Sequence, residues 1–148
     1  MPIPEPVADY GSVKEQLIAE IRAQGHAVTG IYVGRQALVL TTTGARSGEA
    51  RVSPLAYSTD AGRFVVTASR GGSPRHPAWY HNLVANPTAT VEVELKRTAV
   101  RASTADGEER ERLWLQHIAL HPGIGPYAEM THRVIPVVVL EPLLEPNR

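Results

Sequence analysis

The chain has no cysteine, which excludes a disulfide framework and any thiolate zinc site. It has no apolar run near the ~20 residues that a membrane-spanning helix needs. Residues 1–10 carry two acids and three prolines where a secretion signal would place a basic and then an apolar region. The expectation is a cytoplasmic protein without a transmembrane segment, peripheral membrane contact staying open. Net charge is missing as well: 15 basic residues face 15 acidic ones, which argues against a nucleic-acid partner. Repeats and low-complexity tracts are absent. No Ser-His-Asp order or paired carboxylate stands out, leaving little support for hydrolysis.

What is present is punctuation. Proline and glycine number 12 each in 148 residues, a density that suits an antiparallel β-rich fold better than a helix bundle. One domain over residues 1–148 fits this length, divided into an N-terminal helical segment, 1–36, and a barrel, 37–142. Ser12 and Glu15 read as a capping box, Val13, Leu17, Ile18 and Ile21 as a helical stripe, and Gly25 as its stop. An apolar strand spans 37–43. Strands at 52–58 and 63–69 flank an Asp60-Ala61-Gly62 turn, with Pro54 marking an edge or bulge. A short helix over 78–85 begins after Pro77 and closes before Asn86-Pro87. Ala89, Val91, Val93 and Leu95 alternate with Glu92 and Glu94 in a half-buried strand, and 96–103 pairs back. Asp106 and Glu109 open a helix running to about His121, prolines break it, and 134–140 is the last strand. Five or six hairpin-linked strands with flanking helices make an α+β fold, a closed or partly closed barrel.

Charge is unevenly spread. Residues 30–91 hold six arginines, 35, 46, 51, 63, 70 and 75, against Glu49 and Asp60, a local balance of +4. No acid occurs between Asp60 and Glu92. A positive field confined to glycine-containing segments is what a polyanionic ligand needs. The first such segment, 41–51, sets Arg46 and Arg51 among Thr42, Thr43, Ser47 and Ser53 around Gly44 and Gly48, the makings of an anion nest. It lacks the Gly-Lys-Ser/Thr ending of a Walker loop. The second, 69–87, follows a strand with Ser69, Arg70, Gly71 and Gly72, then Trp79, Tyr80 and Asn82. Its glycines would let backbone approach a ligand, its aromatics would meet a flat ring, and Asn82 would offer an amide to it. A Gly72→Val change should then block the ligand and leave thermal stability nearly unaltered. His117 and His121 are spaced to ligate metal from one helix face, but no third ligand accompanies them. A polar helix face is the expected reading, with no metal. His76 and His81 read as pocket residues.

These segments resemble the deazaflavin (coenzyme F420)-dependent nitroreductase and quinone reductase family of actinobacteria. The likeness runs from about Leu38 to Pro142. It rests on Thr-Thr-Gly-x-x-Ser-Gly at 42–48, Ala-Ser-x-Gly-Gly at 68–72, Pro-x-Trp-Tyr-x-Asn-Leu-x-Ala-Asn-Pro at 77–87 and Ile-Pro-Val-Val-Val-Leu-Glu-Pro at 135–142. Thirteen arginines against two lysines agree with a GC-rich genome. The resemblance implies a split β-barrel and an oxidoreductase that moves a hydride from C5 of reduced coenzyme F420 to an electron-poor enone, quinone or nitro compound. It implies cofactor contacts from Ala45, Arg46 and Ser47, then Arg51, Val52, Ser53, Pro54, Leu55 and Ala56, then Thr67, Ala68, Ser69 and Arg70, and finally Ala78, Trp79, Tyr80, His81 and Asn82. Ser69 is the candidate for a bond near the reacting end of the ring, and Tyr127 for substrate contact or proton delivery. Ala45 replaces a residue that is usually basic in the family. Ile124 and Ala56 stand where tyrosines can line the pocket, which implies a bulky, apolar, planar acceptor. An FMN-binding barrel and a non-catalytic cofactor or lipid binder are the alternatives.

Overall fold

The computed structural model describes residues 10–28 and 33–143. Its elements in chain order are helix α1 (Tyr10–Gln24), strands β1 (Ala37–Thr43), β2 (Ala50–Ala56), β3 (Ser58–Asp60) and β4 (Arg63–Thr67), and helix α2 (Ala78–Ala85). Strands β5 (Thr88–Val93) and β6 (Lys96–Thr104), helix α3 (Gly107–Leu120) and strand β7 (Val137–Pro142) complete it. Short 3-10 segments occupy Arg70–Gly72 and Pro122–Glu129.

All pairings are antiparallel, in the order β2-β1-β5-β6-β7-β4-β3. The two edge strands are neighbours in sequence, with Tyr57 alone between Ala56 and Ser58. Two residues of extended chain reach at most about 7 Å, so the sheet must curl until its edges meet. This makes a split β-barrel. The reading of 52–58 as one strand gives way here, because the chain leaves one edge and joins the other at Tyr57. Pro54 lies on an edge strand, opposite Val39, where its missing N–H costs no interior ladder bond.

Side-chain parity then sorts the strands onto two faces. Leu38 and Leu40 of β1, Val66 of β4, Val91, Val100, and Val138 and Leu140 of β7 form the inner cluster. Their neighbours Val65, Val137 and Val139 face outward against Leu113 and Trp114 of α3, while Ala37 and Val39 meet Leu17 and Ile21 of α1. Strands covered on both faces read as unbroken apolar runs, which is why β1 and β7 lack alternation. Each such buried aliphatic side chain contributes on the order of 1.5–3 kcal/mol. Helix α2 closes one end of the barrel by adding Trp79 and Leu83 to the inner cluster.

Several local readings shift. Helix α1 begins at Tyr10, so Ser12 lies inside it and is not its N-cap. Val13 is exposed, and the buried stripe is Leu17 and Ile21. Gly25, at φ +84°, ends the helix by donating its N–H to the Ile21 carbonyl at 2.8 Å. Leu95 is exposed because it turns the β5–β6 hairpin with Glu94, both at positive φ. Asp106 is the N-cap of α3, but its side chain makes no capping bond. The last strand starts at Val137, three residues after the expected Val134.

Candidate functional site

The β1–β2 turn and helix α2 are held together by one buried amide. Asn82 Oδ1 accepts the Ala45 N–H at 2.9 Å, and Asn82 Nδ2 donates to Thr42 Oγ1 at 3.1 Å. Leaving the buried Thr42 hydroxyl orphaned would cost about 1–3 kcal/mol. The Asn82 side chain therefore positions the turn, and it also lines the cleft beside it. A Cβ at Gly44 would meet Ser47 Oγ at 2.5 Å and the Glu49 carbonyl at 3.2 Å, so a side chain there would force the turn to shift.

Beside this joint lies a cleft of about 620 Å³ lined by Gly44, Ala45, Arg46, Ser47, Arg51, Ala78, Trp79, His81 and Asn82, with Lys14 reaching in from α1. A second cleft of about 620 Å³ shares Ala78 and His81 with it and adds Arg70, Pro74, Arg75, His76, Pro77 and Arg133. Among the described residues the two are lined by six cationic side chains and by no carboxylate. Glu49 lies 3.9 Å from Arg51 at exposed surface. Such an unbalanced groove attracts anions and holds carboxylate or phosphate oxygens through charge-assisted bonds.

The run 70–72 has an unusual backbone. Arg70, Gly71 and Gly72 have φ of +45°, +62° and +84°, a left-handed turn that an arginine enters at a cost of roughly 1–2 kcal/mol. Arg133 closes over it. Its guanidinium donates to the Ser69 carbonyl at 3.0 Å, to the Ser73 carbonyl at 3.0 Å and to His76 Nδ1 at 2.9 Å. An arginine can only donate, so His76 Nδ1 is unprotonated and its ring neutral. Burial, then the Arg133 charge and then His81 hold the His76 pKa below its ordinary value. Gly71 has open space where a Cβ would stand, while Gly72 is packed 2.9 Å from Met130 Cβ. Gly72 is thus a structural turn residue. The expectation that Gly72→Val would spare stability is corrected by that contact.

Other expected site residues fall elsewhere. The alternation of β2 divides 51–56: Arg51 lines the cleft and Leu55 packs on the inner cluster, whereas Val52 packs against α1. Ser53, Pro54 and Ala56 are half-buried along the same edge strand. Thr67, Ala68 and Ser69 are buried where β4 ends, the Thr67 hydroxyl having no partner. Tyr80 turns to the far face of α2, its hydroxyl 3.3 Å from Thr104 Oγ1. Tyr127 and Ile124 pack against the α3 cluster, and neither they nor Ala56 line the two clefts. Lys14 and Arg133 were missed in the sequence because both lie outside the 30–91 segment of excess positive charge.

His117 and His121 do not form a polar helix face. Both are fully buried, with rings 5.0 Å apart. His117 Nδ1 bonds Ser58 Oγ at 2.8 Å, and His121 Nε2 donates to the Tyr57 carbonyl at 2.8 Å. They pin α3 to the corner where the barrel closes. Burial, assisted by His121, pushes the His117 pKa down to about 4. No cluster of three metal-ligating side chains occurs among the described residues.

The family model for "F420H(2)-dependent quinone reductase" matches residues 13–142. The chain belongs to this family. An F420H(2)-dependent quinone reductase of Mycobacterium tuberculosis is 37% identical over 119 residues, covering 78% of each chain. Among solved structures, an F420-H2-dependent reductase (FDR-A) is 40% identical with a TM-score of 0.67, over 72% of this chain and 95% of that one. A protein solved as a domain-swapped dimer is 32% identical with a TM-score of 0.69, over 90% of this chain and 94% of that one. Among the described residues no helix is long and apolar enough to cross a membrane.

Proposed function

We propose that this family member is an F420-dependent reductase that binds reduced coenzyme F420 along the joined clefts and reduces a planar, quinone-class acceptor. The observation that carries the reading is the groove itself: Lys14, Arg46, Arg51, Arg70, Arg75 and Arg133 with no acid among the described lining residues. That donor set fits a cofactor with a flat ring, a phosphate and a carboxylate-rich tail. When bound, the reduced deazaflavin supplies the hydride.

The protein's own work is positioning and charge. Arg46, Ser47, Arg51 and Lys14 would hold the phosphate and tail carboxylates at the β1–β2 turn. Trp79, buried but lining the first cleft, would give the ring an apolar wall. Ser69 and Arg70, where β4 ends, would sit at the reacting end, with Ser69 bonding the ring and Arg70 stabilising developing negative charge. The bulky apolar acceptor read from the sequence rests on Ile124 and Ala56, which do not line these clefts; the planar acceptor class rests on family membership.

Titration with oxidised coenzyme F420 and with FMN, followed by fluorescence, tests the assignment. Coenzyme F420 is expected to bind more tightly, and its binding to weaken as salt rises. Reduced coenzyme F420 should then be oxidised by a naphthoquinone. Tighter FMN binding would replace the cofactor, and F420 binding without turnover would leave a carrier.

A further inference from the structure

We infer that Arg133 is a positioning residue for the ligand groove, and that it acts only while His76 is unprotonated. The inference rests on the cofactor reading above. It starts from the left-handed turn at 70–72, which carries Arg70 and follows directly on Ser69. Such a turn stays in place only where its surroundings over-determine it. Within the turn, Gly72 N–H bonds the Ser69 carbonyl and Ser73 N–H bonds the Arg70 carbonyl. Arg133 then fastens it from outside by gripping the carbonyls of Ser69 and Ser73, the residues on either side. It comes from the segment leading into β7, distant in sequence, so the grip ties the loop to the far end of the chain.

The third contact makes the clamp conditional. Arg133 Nη1 points at His76 Nδ1, an atom that accepts only when it carries no proton. Protonated His76 would present a donor to a donor and one positive charge to another. Among the described residues no carboxylate is a partner of either group. His76 is faced by Arg133 from the β7 side and by His81 and Tyr80 from α2, with ring centroids 5.7 and 4.9 Å away. Arg75 adjoins it on its own loop and Arg70 lines the same cleft. Every charged group there is cationic or can become so, and none would stabilise an imidazolium. Protonation must therefore loosen the Arg133 contact, and with it the placement of Ser69 and Arg70.

Two measurements on the full chain decide this. The first needs no cofactor: nitrogen-15 NMR of the histidine rings in the ligand-free protein. His76 should show an unprotonated Nδ1 and a midpoint below the ordinary 6.5, and Arg133→Gln should bring that midpoint up. The second is the Kd of oxidised coenzyme F420 as a function of pH. The wild type should weaken roughly tenfold as His76 gains its proton. His76→Asn, whose side-chain carbonyl accepts at any pH, should lose that part of the pH dependence, whatever its affinity at neutral pH. Arg133→Gln should bind roughly tenfold more weakly at neutral pH, with Arg133→Lys intermediate. The inference fails if His76→Asn keeps the full acid weakening, or if Arg133→Gln leaves both the Kd and the His76 midpoint unchanged. If Arg133→Gln does not fold, the His76→Asn profile still decides. Absence of F420 binding by wild type at every pH would overturn the cofactor reading, while the ring titration would still judge the clamp.

Discussion

The arginines beside α3 and those of the groove lead opposite lives. Asp60 receives Arg63 at 2.7 Å and Arg112 at 2.8 Å, and Arg110 pairs with Glu111 at 2.8 Å. Hydrogen bonds from Arg112 and then Arg63 pull the Asp60 pKa down to about 2. In the joined clefts six cations stand without a carboxylate among the described residues. The histidines divide the same way. His117 and His121 are sealed in the fold, whereas His76 and His81 border the groove. Charge balanced within the protein marks structure, and charge left over marks a place for a ligand.

The largest effect expected from this contrast is on the sealed side, under acid. Folded His117 titrates at about 4 against 6.5 as its ordinary value, so between those values the unfolded chain binds more protons. Stability is complete above about pH 6.5 and drains as pH falls toward 4, by roughly 3 kcal/mol in total. Denaturant unfolding across that range should show the slope, and His117→Asn should flatten it even if it also lowers the plateau. An unchanged slope would mean that His117 is not the sensor.

On the open side the loss should appear in binding alone. Arg46→Ala removes a charge-assisted contact worth about 1.5–3 kcal/mol and should raise the Kd of coenzyme F420 roughly 10- to 150-fold, with the melting temperature held. Arg112→Ala, exposed and paired with Asp60, should change neither noticeably. A matched fall in affinity for both variants would erase the distinction between the two regions.

A smaller effect separates neighbouring glycines. Gly72→Val must fit a side chain against Met130 at a φ of +84° and should cost roughly 1–3 kcal/mol of stability. Gly71→Ala, with open space around it, should cost only about 1 kcal/mol. Thermal melts of both variants check the order, and equal losses would return Gly72 to a ligand-facing role.

By itself the sequence determined what local chemistry controls. Strand β1 and helix α2 fall at the residues expected, because an apolar run bounded by glycine and a Pro-led helix stopped at Asn-Pro are short-range signals. The turn 44–48, the acid-free stretch after Asp60 and the motifs of the family were legible for the same reason. Only the tertiary structure could join β2 to β3 at opposite edges through Tyr57, since barrel closure depends on pairings between distant strands. It alone buried His117 and His121, whose spacing on a helix says nothing about which face is covered. It made Asn82 a brace between the β1–β2 turn and α2 and split 51–56 between two faces. And it carried Lys14 and Arg133 into the groove from the two ends of the chain, because a long-range field is set by where charges meet in space, not by their order.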